Sequence, residues 1–280
     1  MLADLGGDEA MAGWLGTLWR RQAVYTVLGL ALVALIPVLS FLALIDERMV
    51  DGINVWVKPL KFSASIGIYL LTLAFFAAWM RPGAMQTRPQ RLAVVAVAVA
   101  VVYEMGWLIA ASAHGVRSHF NMDGGLFMAL YPLAGLFAFV LVIGPLAMGA
   151  SVLRARPDAA NPAMSEAIGL GLVLTFILTP LVAFPLSNPL AALGGSQFGY
   201  GEGYFGWHME RGDLRAAHFF ATHALHVIPA LAFLPSRLLR GAAGVAICRV
   251  TAIVYAAFVG GLAWLGITGQ PLPAILRAPF

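Results

Sequence analysis

Apolar residues run along this chain in seven long blocks, and within a block they do not alternate with polar ones. The blocks are Ala23–Ile45, Leu60–Met80, Leu92–Ala113, Leu126–Ala150, Ala167–Ser187, Ala216–Leu234 and Val250–Thr268. About 20 such residues in a helix cross the ~30 Å of a bilayer's hydrocarbon. Barrel strands would be half as long and would alternate in polarity. The pattern therefore predicts an all-α integral membrane protein, with seven transmembrane helices in one bundle over 23–280 and no soluble domain. Pro37, Pro132, Pro145, Pro180, Pro185 and Pro229 fall inside the blocks, where neighbouring groups can re-satisfy the backbone that a proline frees. Ahead of the first block, Met11, Trp14, Leu15, Leu18 and Trp19 share one helical face. That face predicts a short interfacial amphipathic helix within 1–22.

Composition agrees with the pattern. Of 280 residues, 61% are hydrophobic and 11% charged, against roughly 25% charged in soluble domains. The single cysteine, Cys248, excludes an intrachain disulfide. Asp4, Asp8 and Glu9 make the start a poor match to the basic opening of a signal peptide. No repeat, low-complexity tail or nucleic-acid-binding pattern is present.

The net charge of +4 matters less than its placement. Arg20, Arg21, Arg81, Arg88, Arg91, Arg154, Arg156, Arg237, Arg240 and Arg249 flank alternate connections. By the positive-inside rule those connections are cytoplasmic, as is the N-terminus. The other side carries Arg48, Lys58, Lys61, Arg117, Arg211, Arg215 and Arg277, interleaved with Asp46, Glu47, Asp51, Asp123, Glu202, Glu210 and Asp213. The three outer connections, 46–61, 113–125 and 188–215, hold the most varied chemistry. The last has many glycines with Phe198, Tyr200, Tyr204, Phe205 and Trp207, a composition suited to a folded outer cap. The expected location is a bacterial-type inner membrane with the working face extracytoplasmic.

The candidate chemistry lies in that outer half. The segment DLRAAHFFATHALHVIPAL, 213–231, places His218, His223 and His226 in one apolar helix. With a rise of ~1.5 Å per residue, they lie roughly 4, 12 and 16 Å below its outer end, and Glu104 in the third block lies ~13 Å deep. At ~100° per residue, His223 and His226 are about 60° apart, with His218 about 80° to the other side of His226. Histidines at i and i+3 can grip one ion, as the i, i+3 pairs of carboxylate-bridged bundles do. The expected ligands are His223, His226 and His218, joined by His119 in the loop. The metal would be zinc, copper or iron, or the group a haem b, which would take one ring here and a second ligand elsewhere. Glu104 and Asp213 are the candidate catalytic carboxylates, although Asp213 also stands where a helix N-cap belongs. An ionisable group inside a membrane points first to function. His114 and His208 read as loop residues.

Lys58, Lys61 and Arg215 open helices whose N-termini are already electropositive. Either local acids such as Asp46, Asp51 and Asp213 compensate, or these cations and Arg117 clamp an anionic headgroup or small molecule.

A seven-helix chain rich in histidine invites comparison with the ceramidase and progestin-receptor superfamily of membrane zinc hydrolases. Here the pair is HxxH on the penultimate helix rather than HxxxH on the last, and no serine lies four before His114 or His119. The last block has no lysine for a retinal Schiff base. GEGYFG at 201–206 spells a dinucleotide motif without its strand. The segments NVWVKPLKF, RSHFN and GDLRAAHF resemble those of uncharacterised bacterial integral membrane proteins, a likeness that implies no activity. The leading expectation is a metal- or haem-dependent oxidoreductase acting on a bilayer-soluble lipid or quinone, with redox chemistry favoured by Tyr103, Trp107 and Tyr131 near the site. A proton- or cation-coupled transporter is the alternative, followed by a membrane hydrolase or a non-catalytic subunit.

Overall fold

A computed structural model describes residues 13–119, 121, 125–156, 159–187, 201, 203–239 and 241–277. Met11, Asp123, Glu202 and Arg240 lie outside the described residues, as does 188–200 of the expected outer cap. The helices are α1 Gly13–Arg21, α2 Ala23–Ile45, α3 Val57–Phe76, α4 Arg88–His114, α5 Gly125–Leu141, α6 Ile143–Ala155, α7 Pro162–Leu186, α8 Leu214–Leu238 and α9 Gly241–Thr268. Seven stretches among the described residues are long and apolar enough to cross a membrane, α5 and α6 together making one of them. The protein is all-α, as the pattern predicts.

Several helices outrun the apolar blocks. α4 begins at Arg88 rather than Leu92, α7 at Pro162 rather than Ala167, and α9 at Gly241 rather than Val250. Hydropathy marks what sits in hydrocarbon, whereas helical hydrogen bonding continues out to a cap. Pro162 opens α7 at a position that needs no N–H, and the Asn161 side chain caps it by accepting from Met164 N at 3.0 Å. α1 forms as expected. Leu18 is buried, and Trp14, Leu15 and Trp19 are exposed.

The chain gathers into two compact units, one up to Gly144 and the other from Pro145. In the first, α2 packs on α3 and α3 and α5 on α4. A Cβ on Gly29 would stand 3.2 Å from Gly67 O, and one on Gly67 would stand 3.3 Å from Gly29 O. Paired small residues let two membrane helices approach this closely. A hairpin absent from the sequence reading joins α2 to α3: β1, Met49–Val50, pairs with β2, Ile53–Asn54. Asp51 and Gly52 turn it with φ of 55° and 76°, the left-handed pair of a type I′ turn. Asp46 accepts from Trp56 Nε1 at 2.7 Å and from Arg48 Nε at 3.0 Å. Ser112 donates to Val55 O at 2.7 Å and Arg48 to Ala113 O at 2.9 Å, tying the hairpin to the end of α4. The α5–α6 break follows from Pro145, which has no N–H for Leu141 O. The hydroxyl of Tyr69 supplies the missing donor at 2.6 Å.

In the second unit α7, α8 and α9 pack on one another. A Cβ on Gly171 would stand 2.9 Å from Ala224 O. Thr175 Oγ1 accepts the Leu225 amide at 2.9 Å, and Tyr255 donates to Phe220 O at 2.7 Å. The described part of the connection between α7 and α8 folds onto this unit. Trp207 and Met209 are buried, and Leu272 N donates to Met209 O at 2.7 Å.

Candidate functional site: a buried acid, an amine and an imidazole

In the first unit three segments bring candidate residues together at the hairpin end. Lys58 sits in the first turn of α3, positioned by Pro59 and by Asn54, whose side chain accepts from Trp56 N at 2.9 Å. His119 follows α4, which Gly115 closes in the left-handed conformation at φ 67°. The loop that carries it is held by Trp107 Nε1 donating to Ser118 O at 2.7 Å and by Asn121 donating to Arg117 O at 3.1 Å. Lys58 Nζ then lies 3.1 Å from His119 Nδ1. An ammonium can only donate, so the imidazole is neutral with its proton on Nε2. Burial, and after it the Lys58 cation, hold His119 well below the ordinary imidazole range. The Tyr131 ring meets the imidazole edge-on at 5.8 Å.

Glu104 lies on α4, 1% exposed, and neither carboxylate oxygen has a hydrogen-bond partner. Lys58 is within electrostatic range, but its hydrogen bond goes to His119. The nearby donors on α4 are committed elsewhere, Trp107 to Ser118 O and Tyr103 to Leu130 O. Tyr103 also stacks on Trp107 and on Phe137, with centroids 6.4 and 4.3 Å apart. Buried side-chain oxygens normally find donors, so this acid stands out.

Two of the expected clamp cations have acids of their own. Arg117 holds the exposed Asp51 through Nε at 2.9 Å, and that contact keeps the Asp51 carboxyl below its usual range. Arg215 pairs with Asp213 at 2.6 Å and donates to Gly206 O at 3.0 Å. Asp213 is fully buried. It caps α8 by accepting from Arg215 N at 2.8 Å, and it takes His208 N at 2.9 Å. Its oxygens are thus occupied by structural donors, which fits the N-cap reading. Lys61 is exposed one turn beyond Lys58.

The histidines of α8 belong to the second unit. His223 Nδ1 donates to Phe219 O at 2.6 Å and the ring stacks on Phe219 at 4.1 Å. This fixes the tautomer and leaves the Nε2 lone pair available. The His226 ring centre lies 5.7 Å away. His218 Nδ1 is buried without a hydrogen-bond partner. Among the described residues, no three His, Cys, Asp or Glu side chains gather closely enough to hold one ion.

Among the described residues, one charged residue escaped the sequence reading. Glu166, on α7, is buried between Arg249 at 2.6 Å and Arg156 at 3.1 Å. It sits one residue before the apolar block at Ala167, outside every block that the polarity pattern draws. The only available signal was an acid beside an apolar run in a region of arginines. It ties together the ends of α6, α7 and α9.

Comparison of the chain with protein-family models, with curated proteins and with solved structures gives no match.

Proposed function

We propose that this is an integral membrane protein that moves protons: a proton-coupled carrier in which Glu104 takes up and releases the proton, and Lys58 and His119 connect it to the hairpin end. The observation that carries the reading is the Glu104 carboxyl, 1% exposed and without a donor on either oxygen, while the nearest amine is bonded to an imidazole. A charged carboxylate in such surroundings is costly and the neutral acid is far cheaper. A proton is the smallest ligand that settles the charge. In the charged state the Lys58 ammonium stands within reach of the acid, and in the neutral state it rests on His119 Nδ1. The arginine distribution supports setting the hairpin end on the extracytoplasmic side of a bacterial inner membrane.

Infrared spectra of the purified protein, taken over about pH 5 to 9, test this. A carbonyl band from a protonated acid is expected to change across that range and to vanish in Glu104→Gln. No such band, or one that survives the substitution, overturns the reading. In vesicles carrying a pH-sensitive dye, the same variant should stop proton uptake.

A second reading has its own observation. The Nε2 lone pair of His223, oriented by the bond from Nδ1 to Phe219 O, with His226 one turn away, begins a transition-metal site for zinc, copper or iron. A haem b would instead be held through one of these rings. In that case the protein is a metal- or haem-dependent oxidoreductase for a bilayer-soluble lipid or quinone.

A further inference from the structure

At the end of the first unit away from the hairpin, Gln86, Arg88, Arg91, Leu92 and Val95 line a pocket of about 250 Å³. Both arginines are exposed, and neither guanidinium has an ion-pair or hydrogen-bond partner among the described residues. The connection 77–91 contains no acid, so no charge within it compensates them. From this pocket a strip runs along α4. Leu92, Val95, Val99 and Val102 follow one helical face and are 60, 59, 51 and 64% exposed. The ten helical rises from Leu92 to Val102 make the strip ~15 Å long. It leads into a groove of about 690 Å³ whose lining includes Val24 and Val27 of α2, Val99, Val102 and Tyr103 of α4, and Phe137 of α5. The groove wall is almost wholly apolar and lies within membrane-spanning helices.

We propose that this surface binds one anionic phospholipid. Its phosphate sits on Arg88 and Arg91 with the Gln86 amide, and one acyl chain runs down the α4 strip into the groove as far as Tyr103. Two guanidinium groups suit a phosphate in the sign of their charge and in donor geometry. A dry groove among membrane helices suits hydrocarbon and no polar ligand. The union of a cationic pocket and an apolar groove along one helix face therefore selects a lipid with a net negative headgroup. The inference is independent of Glu104, although the chain would end one residue from it.

Full-length protein, purified in detergent and stripped of lipid, is titrated with dioleoylphosphatidylglycerol or dioleoylphosphatidylcholine, and bound lipid is counted by native mass spectrometry. The expected result is a clear preference for the glycerol lipid. Joint Arg88→Gln and Arg91→Gln substitution should weaken that lipid about 30-fold, from the usual contribution of two arginines at a membrane surface, while leaving the choline lipid unchanged. Val99→Trp, which fills the groove from an exposed position, should weaken both lipids. Equal binding of the two lipids by the unsubstituted protein means ordinary boundary lipid and overturns the proposal. So does an unchanged preference in the arginine variant, or unchanged binding in Val99→Trp.

Discussion

The contact between Lys58 and His119 makes a quantitative prediction about acid. His119 lies in the loop after α4 and is held well below the ordinary imidazole range, chiefly by burial and then by the Lys58 ammonium that donates to its Nδ1. In the unfolded chain a histidine titrates near 6.5. Below that value the unfolded chain binds a proton that the folded one refuses, so stability is highest at alkaline pH and falls as pH drops through 6.5. Between pH 7.5 and 5.5 the linkage amounts to about 1.4 kcal/mol from this one group. Lys58 of α3, Glu104 of α4, and Asp51 and Arg117 at the hairpin end surround the same region. The measurement is therefore a difference between the protein and His119→Asn, whose side-chain oxygen keeps an acceptor for Lys58 but takes no proton. Thermal unfolding of the solubilised protein, followed by tryptophan fluorescence at both pH values, reads it. At about 2–4 °C per kcal/mol in a chain of this size, the unsubstituted protein should lose roughly 3–6 °C more than the variant on acidification. Equal losses would mean that His119 is not held neutral in the fold, and the tautomer assigned from Lys58 would be wrong.

Asp213→Ala should cost about 3–5 kcal/mol, because it removes the α8 cap and leaves Arg215 without its buried partner. Asp51→Ala breaks only an exposed pair and should stay within about 1 kcal/mol. Chemical denaturation of the two variants side by side checks the contrast, and equal costs would refute it. Gly171→Ala puts a methyl 2.9 Å from Ala224 O and should destabilise by about 1–3 kcal/mol. An unchanged unfolding midpoint would mean that α7 and α8 can separate without cost. If α8 carries a metal or haem, His223→Ala should abolish it and His208→Ala should not, as read by elemental analysis and the visible spectrum. Full occupancy in both variants would remove His223 from the ligand set.

Length and polarity made the helices legible. An apolar block of about 20 residues has one economical conformation in hydrocarbon, so all seven spans were readable, and so was the helix that exposes Trp14 and Trp19. The Asp51–Gly52 turn was equally open to reading. It was missed because two-residue strands are too short to show alternation. The isolated polar residues were legible as well. Glu104 stood out as an acid in the third block, and Asp213 as a cap before an apolar run. Glu166 escaped because hydropathy ends a helix where the charge begins, while the backbone carries on.

The sequence by itself determined that the chain forms seven helices long and apolar enough to cross a membrane, and that Glu104 and the α8 histidines fall inside them, because both follow from local composition. Only the tertiary structure decided who meets whom. It gave Arg117 to Asp51, put the Lys58 ammonium on His119 rather than on Glu104, and left the carboxyl of Glu104 without a donor. Such pairings depend on where separate helices and loops are brought together, over separations of up to 66 residues. No periodicity along the chain encodes those distances.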